Sequence, residues 1–465
     1  MAITSLLSCV LVAAFAVEAG ELQVPESRRR PTARRVTIPY IRLRSTSRTP
    51  ASPIFLLAGG PGSSWLDQFK GDEGSREVAF YRTIADVVLF DQRGGGHALP
   101  AMTCPKTADL PIDQPLDQET LRQTMRALLI ECRDGWLAEG VDLAAYNTVE
   151  NAADVDDLRR ALGYGKISLI GGSYGSHLAL QFMRQFPRNV DRVVIYGVEG
   201  PDHTWDDPAG TLATLARLAA EAERAPALAG HIPPGGLLAA LERAIARLEA
   251  NPRTVIVTRG AEKTSVLVDA NVARRMARHR AGRRGQPNDW PEMILALDRG
   301  DDSSLAKGRL DARRLRLADP MHYSMDCASG ISETRRARLR RDPAARLLGD
   351  INFEYEALCD LWPAEDLGRS FRRNVVSDIP TLIIHGTLDT STPIENAREV
   401  AASLRNAQLV EVVGGTHGAL YNLFERWPPI YPLLTAFLQG RTARFPRSVA
   451  DPREVVFRAP AISNQ

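Results

Sequence analysis

Short, nearly continuous apolar runs recur toward both ends of the chain, each closed by a glycine-rich or charged turn: Pro53–Leu57, Ala85–Phe90, Ile167–Ile170, Arg192–Tyr196, Pro380–Ile384 and Gln408–Val413. A strand that is apolar at successive positions buries both faces, which is the condition of a parallel strand sandwiched between helices. Helix-period stretches separate these runs, at Gln118–Ala138 and Val149–Leu162, from Thr392-Pro393 to Leu404, and from Leu420 toward Leu438 with a break at Pro428-Pro429. Thr392 is the expected N-cap and Pro393 the first-turn residue. Arg34–Arg44 alternates and then slips phase at Leu43, the pattern of an edge strand or hairpin. Gln408–Val413 is expected to be the last strand. The alternation predicts an α/β fold with a mostly parallel, doubly wound sheet, whose site lies at the carboxyl ends of its strands.

Between Asp206 and about Arg373 the pattern changes to amphipathic helix, at Leu212–Arg224, Leu237–Leu248, Asn271–Arg280 and Pro291–Leu297, with one β-like pair at Thr254–Val257 and Ser265–Val268. A helical block that interrupts a regular alternation reads as an inserted cap. The expected division is a signal peptide over 1–20, a catalytic domain over 21–204 and 374–465, and a cap over 205–373. The arginine-dense pieces Arg274–Arg284 and Arg335–Arg341 are expected to be solvated helix faces with i,i+4 pairing.

With 465 residues, 44% hydrophobic and 25% charged, the chain can bury a large core plus a second unit. The net charge is +2 and only five of the 58 basic residues are lysine, so arginine is spread along a nearly neutral chain with no uncompensated basic face for nucleic acid. Leu6–Val17 is too short to span a bilayer but suits the apolar core of an export signal with small residues near Ala19, although no Lys or Arg precedes it; a mature N-terminal helix is the alternative. Leu6-Leu7-Ser8-Cys9 resembles a lipidation motif, yet it leaves almost no apolar run before the cysteine, and no stable membrane anchor is expected. Export fits the remaining cysteines, an even set: Cys104, Cys132, Cys327 and Cys359. Spacing favours Cys104 with Cys132 and Cys327 with Cys359, against four buried thiols. No C-x-x-C or His/Cys cluster offers a metal site, and no cofactor is expected.

The strand ends carry the candidate chemistry: Gly59-Gly60, Asp91, Ser173, Glu199, Asp389 and His417. Gly171-Gly172-Ser173-Tyr174-Gly175 is a G-x-S-x-G between an apolar strand and a helix, the setting of a nucleophile elbow. A serine hydroxyl is a weak nucleophile unless an imidazole takes its proton and an acid orients that imidazole. Of the eight histidines, His417 alone follows both serine and acid on a loop after a strand, giving the order Ser173, Asp389, His417. His97 precedes the serine; His177, His385, His203, His231, His279 and His322 lie on the elbow helix, in a strand, or in the cap and its entrance. Ala58-Gly59-Gly60-Pro61-Gly62 exposes backbone N–H groups, as an oxyanion site requires, or is a plain tight turn.

Together, Gly59-Gly60-Pro61-Gly62, Asp91-Gln92-Arg93-Gly94, Gly171-Gly172-Ser173-Tyr174-Gly175, Gly386-Thr387-Leu388-Asp389 with Thr392-Pro393, and Gly415-Thr416-His417-Gly418 resemble the α/β-hydrolases of the prolyl and tripeptidyl aminopeptidase group. Ser324-Met325-Asp326-Cys327 and Cys359-Asp360-Leu361-Trp362-Pro363 look like the cysteine-bearing cap segments of exported members. The resemblance implies Ser173 as nucleophile, Asp389 and His417 as its partners, and the N–H groups near Gly60 and of Tyr174 as the oxyanion hole. Two positions depart from the family pattern: Ala58 stands where a histidine often precedes the glycines, and Ser329-Gly330 stands where acidic residues often follow the cap cysteine. An exopeptidase must hold a substrate ammonium on at least one carboxylate; Glu199 is the best-placed candidate, with Glu354 or Glu356 approaching from the cap. The expectation is an exported serine hydrolase acting through an acyl-enzyme on the N-terminal end of small peptides. A carboxylesterase on small esters, or remotely a binding protein on a hydrolase fold, is the alternative, and the oligomeric state is open.

Overall fold

The computed structural model describes residues 17–30, 34–69, 75–115, 117–282, 289–451 and 457. Most of the expected signal, and the end of the Arg274–Arg284 stretch, therefore lie outside the described residues. Thirteen described strands follow in chain order: β1 (Val17–Pro25), β2 (Arg35–Leu43), β3 (Ile54–Leu57), β4 (Val87–Phe90), β5 (Thr107–Asp109), β6 (Ile167–Ser173), β7 (Val190–Val198), β8 (Arg253–Arg259), β9 (Glu262–Val268), β10 (Arg314–Arg316), β11 (Thr381–Gly386), β12 (Ala407–Val413) and β13 (Ser448–Ala450).

Nine of them form one sheet in the order β1-β2-β4-β3-β6-β7-β11-β12-β13. Only the β1–β2 and β2–β4 pairs are antiparallel; the rest of the sheet is parallel. β1 pairs with β2 without a break from Val17↔Leu43 to Pro25↔Arg35, so the boundary expected at residue 20 falls inside a paired strand. The central strands bury side chains on both faces. Phe55, Val88 and Leu169 enter one core, while Ile54, Leu56, Val87, Leu89 and Ile170 enter the other. That two-sided burial is why these strands read as unbroken apolar runs.

β12 is not the last strand, because Ser448–Ala450 adds a parallel ninth strand beside it. Three residues are too few to show a period. The helix after β11 runs over Ile394–Ser403 with Pro393 in the cap position, and the Thr392 side chain is used elsewhere.

The stretch expected to form the cap contributes most of a second core, with Leu215, Leu241, Ile245, Trp290, Ile294 and Leu305, which Leu388 and Phe457 from outside that stretch also join. Its four expected helices are present at Pro208–Glu223, Gly236–Ala250, Ala270–Gly282 and Asp289–Asp298, and the β-like pair is the antiparallel hairpin β8–β9. A second tie was not expected: β10 of the cap pairs with β5, which belongs to the catalytic part of the chain. The arginines also pair differently from expectation. Arg335 reaches Glu399 at 2.7 Å, Arg338 reaches Asp207 at 2.8 Å and Arg340 reaches Glu356 at 3.0 Å, all across elements. The helix Glu333–Arg340 holds one acid, and Ala337 stands four residues after it, so i,i+4 pairing has no partner. Both disulfides, Cys104–Cys132 and Cys327–Cys359, are formed. No described helix is long and apolar enough to cross a membrane.

Candidate active site

Ser173 ends β6 and opens the helix Tyr174–Gln185 with φ 55° and ψ −130°, the only non-glycine residue at positive φ among the described residues. Such a conformation costs on the order of 1–3 kcal/mol and persists only where the surroundings enforce it. Here they do. A Cβ on Gly171 would stand 2.3 Å from the Gly175 carbonyl oxygen, and one on Gly175 would stand 2.2 Å from that of Leu57, so strand, elbow and helix pass at glycine distance. The G-x-S-x-G spacing is therefore a packing requirement at both glycines.

The glycine loop after β3 runs against the same serine. A Cβ on Gly59 would lie 3.2 Å from Ser173 Cβ, and the Gln92 side-chain amide donates to the Ala58 carbonyl at 2.8 Å to brace the loop. Asp91 joins the loop's far end to its neighbour, accepting from Ser64 Oγ at 2.8 Å and from the His97 amide at 2.9 Å. Tyr174, as the first residue of its helix, offers an N–H with no acceptor inside the helix. The Asp91-Gln92-Arg93-Gly94 segment is thus architectural: buried Arg93 donates to Asp154 at 2.6 Å and to the carbonyls of Glu26 and Ala145 at 2.6 and 2.7 Å.

His417 and Asp389 meet as expected, with Nδ1 2.7 Å from Oδ2. The carboxylate is fully buried and saturated: Oδ1 accepts from the Ser391 and Thr392 amides at 2.9 and 3.0 Å, and Oδ2 accepts from Thr392 Oγ1 at 2.8 Å. Thr392 thus spends its hydroxyl on the acid rather than on the helix. Burial alone would raise the Asp389 pKa, but the charge and hydrogen bond of His417 and the backbone donor of Thr392 outweigh it and lower the value to about 2. His385 sits beneath this loop. It accepts from the Val198 amide on Nδ1 at 3.0 Å, which leaves Nε2–H to donate to the Thr392 carbonyl at 2.6 Å, and burial holds it neutral. The His417 ring lies over Gly197, where a Cβ would approach Cε1 to 2.8 Å. Since Ser173 is paired with Val198 across β6 and β7, serine and imidazole occupy adjacent strand ends. His97 is elsewhere, exposed and bound to Asp67 at 2.7 Å.

Carboxylates gather beside this site. Glu199 follows Val198 directly, its amide donating to Ser176 Oγ at 2.9 Å. From the cap helix Pro320–Ser329 comes Asp326, which accepts from Tyr355 Oη at 3.1 Å and lies 3.2 Å from His322 Nδ1. Burial pushes Asp326 up to about 6. Burial, then Asp326 and Asp206, push Glu199 well above the usual carboxylate range. Asp206 is also raised, by desolvation first and by Asp326 against the opposing charge of Arg278, although its side chain is exposed and water screens part of that push. Glu354 borders the group, accepting from Tyr323 Oη at 2.7 Å. Glu356 does not join it: its carboxylate pairs with Arg340 at 3.0 Å in a hollow lined by Arg336, Cys327 and Cys359. Sequence reasoning named Glu199 and Glu354 but passed over Asp326, inside the quoted Ser324-Met325-Asp326-Cys327 segment, and Asp206, at the point where the cap begins.

Curated relatives match parts of the chain. A tripeptidyl aminopeptidase of Streptomyces coelicolor is 28% identical over 204 residues, 41% of this chain and 37% of that protein. A proline iminopeptidase of Xylella fastidiosa is 27% identical over 146 residues, 31% of this chain and 32% of that protein. YuaR of Escherichia coli is 22% identical over 409 residues, 82% of this chain and 77% of that protein. The matched part of the chain thus spans little more than a third of the tripeptidyl aminopeptidase's length. Among solved structures, a proline iminopeptidase of Mycobacterium smegmatis superposes with a TM-score of 0.44 at 14% identity, covering 90% of this chain and 98% of that one. The profile of the family described as alpha/beta hydrolase fold matches residues 52–422, and the chain belongs to that family.

Proposed function

We propose that this α/β hydrolase is an exported serine aminopeptidase that releases N-terminal residues or short peptides through an acyl-enzyme. His417, oriented by Asp389, takes the proton of Ser173 Oγ as that oxygen bonds to the scissile carbonyl carbon. The N–H groups near Gly60 and of Tyr174 receive the developing oxyanion. The imidazolium then returns its proton to the leaving amine as the C–N bond breaks, and water repeats the sequence on the ester to restore the serine. Buried Asp389, with its carboxylate saturated by donors, holds the ring in the Nδ1–H tautomer throughout.

The observation that carries the peptidase reading is that Glu199 and Asp326, both held by burial above the ordinary carboxylate range, face each other and Tyr174 of the elbow. Acids held close together at cost to their ionised forms are relieved by a cation, and the N-terminal ammonium of a peptide supplies one. The names of the partial relatives point the same way, and the two disulfides support export. The test is a panel of free-amine aminoacyl and tripeptidyl arylamides, their N-acetylated counterparts, and short-chain aryl esters. Cleavage of the free-amine arylamides with rejection of the acetylated ones is expected. Turnover of esters alone would assign a carboxylesterase, and turnover of nothing would assign a binding protein.

A further inference from the structure

Beyond the triad acid, the cleft changes sign. Thr390 and Ser391 directly follow Asp389, and they line a hollow of about 440 Å³ together with Asp206, Arg275, Arg278 and His279. Arg275 and Arg278 stand three residues apart on one face of the cap helix Ala270–Gly282. Neither forms an ion pair with a described residue, and Arg278 Nε is buried without a hydrogen-bond partner. The charged groups facing Arg278 are Asp206, Arg275 and Asp350. Arg275, Arg278 and Ile351 also line a second hollow of about 360 Å³, whose wall includes the apolar residues Leu121 and Phe353.

The two ends of the cleft differ in what they can hold. Glu199 adjoins Ser173 on the side of the acyl group, where the ammonium is placed under the aminopeptidase reading, on which this inference rests. The hollow lined by the two arginines includes Thr390 and Ser391, the residues that follow Asp389, and under the same reading the leaving fragment, which takes its proton from His417, is assigned to that side. A guanidinium with free donors in a partly buried wall binds a carboxylate in bidentate fashion, and a short peptide carries one at its C-terminus. We propose that Arg275 and Arg278 form a carboxylate subsite for the C-terminus of the leaving fragment, making short peptides with a free α-carboxylate the preferred substrates.

The experiment compares tri- and tetra-alanine bearing a free C-terminal carboxylate with the same peptides amidated, followed by release of free amine, for the wild type, R275Q, R278Q and R278K. Losing one charge-assisted contact corresponds to about 10- to 100-fold, so the wild type should prefer the acids over the amides by that factor in kcat/KM. Arg278→Gln should abolish most of the preference by slowing the acids while leaving the amides unchanged, Arg275→Gln should reduce it, and Arg278→Lys should restore part of it. Equal rates on acid and amide in the wild type would overturn the carboxylate subsite while leaving the aminopeptidase reading intact. A preference that survives in both Gln variants would overturn the assignment to these arginines. Failure to cleave either peptide, with ester turnover retained, would overturn the aminopeptidase reading and this inference with it.

Discussion

The imidazole of His417 rests on the backbone of Gly197: a Cβ at position 197 would stand 2.8 Å from Cε1 and 3.0 Å from Nδ1, and Gly197 holds φ at +51°. Any side chain there must both strain the end of β7 and push the ring from the acid that orients it. Gly197→Ala is therefore expected to lower kcat by about 10- to 100-fold, the scale of a misplacement near 1 Å. Unchanged circular dichroism with reduced kcat is the expected pair of readings; unchanged kcat would show that the ring does not work from this position.

Ser173→Ala and His417→Ala are expected to lower kcat by roughly 10⁶-fold and to abolish fluorophosphonate labelling in a folded protein. Asp389→Asn should cost on the order of 10⁴-fold, because the amide stabilises the wrong tautomer of His417. His97→Ala is the control. Its ring is exposed and held by Asp67, so activity should stay within about twofold of the wild type.

Which parts of this arrangement were legible in the sequence follows from the range of the interactions that make them. β3, β4 and β6 were visible because burial on both faces writes itself as a continuous apolar run, and the elbow was visible because close packing demands glycine at 171 and 175. The acid and histidine followed from chain order at strand ends. β5, β10 and β13, at three residues each, leave no periodic trace. The acidic cluster was only half legible, since Glu199 announces itself at a strand end whereas Asp326 and Asp206 acquire meaning when the cap folds over the sheet. For Thr392 the local rule named a helix cap, and the neighbouring carboxylate claimed the hydroxyl instead. Ser329-Gly330 stands where acidic residues often follow the cap cysteine, whereas the buried cap carboxylate Asp326 stands one residue before Cys327.

The two disulfides close loops of 28 and 32 residues, for which chain-entropy arguments give about 3 to 4 kcal/mol each. Reduction, or Cys104→Ser with Cys132→Ser, should lower the melting temperature by a few degrees, given the unfolding entropy of a chain this long. Non-reducing denaturation should expose no reactive thiol at these four positions. Four alkylatable cysteines there would argue against the oxidising compartment.

Asp326 gives the stability a pH dependence of definite sign. Its native pKa is raised to about 6 against an ordinary 3.8. Below the ordinary value the carboxyl is neutral in both states; as the pH rises toward 6 the unfolded chain ionises first, and native stability falls. Asp326→Asn removes that loss. The melting temperature of the variant relative to the wild type should therefore climb between about pH 4 and 6 and level off above. Asp389 has the opposite sign, since its value is lowered to about 2, so its contribution is present above pH 4 and is lost as the pH falls toward 2. A variant-minus-wild-type difference that is flat from pH 4 to 7 would show that Asp326 ionises normally.

Glu199 follows the strand end that pairs with Ser173, and its substitution separates the recognition of an amine from chemistry that ignores one. Gln keeps the shape and removes the charge, so Glu199→Gln should reduce kcat/KM on free-amine arylamides by about 10- to 100-fold, corresponding to a charge-assisted contact of about 1.5–3 kcal/mol. Hydrolysis of aryl esters, which carry no ammonium, should change by less than about threefold. The pH profile sharpens the distinction. Burial and the two aspartates hold Glu199 above the usual carboxylate range, and Asp326 ionises near 6, so binding of an ammonium requires these groups to lose protons. For free-amine substrates the acidic limb of kcat/KM should accordingly lie higher in pH than for esters, and Glu199→Gln should bring the two limbs together. Equal losses on amines and esters would instead assign Glu199 to the support of the Ser173 elbow, through its amide contact with Ser176, and would remove the carboxylate cluster as the basis for an aminopeptidase.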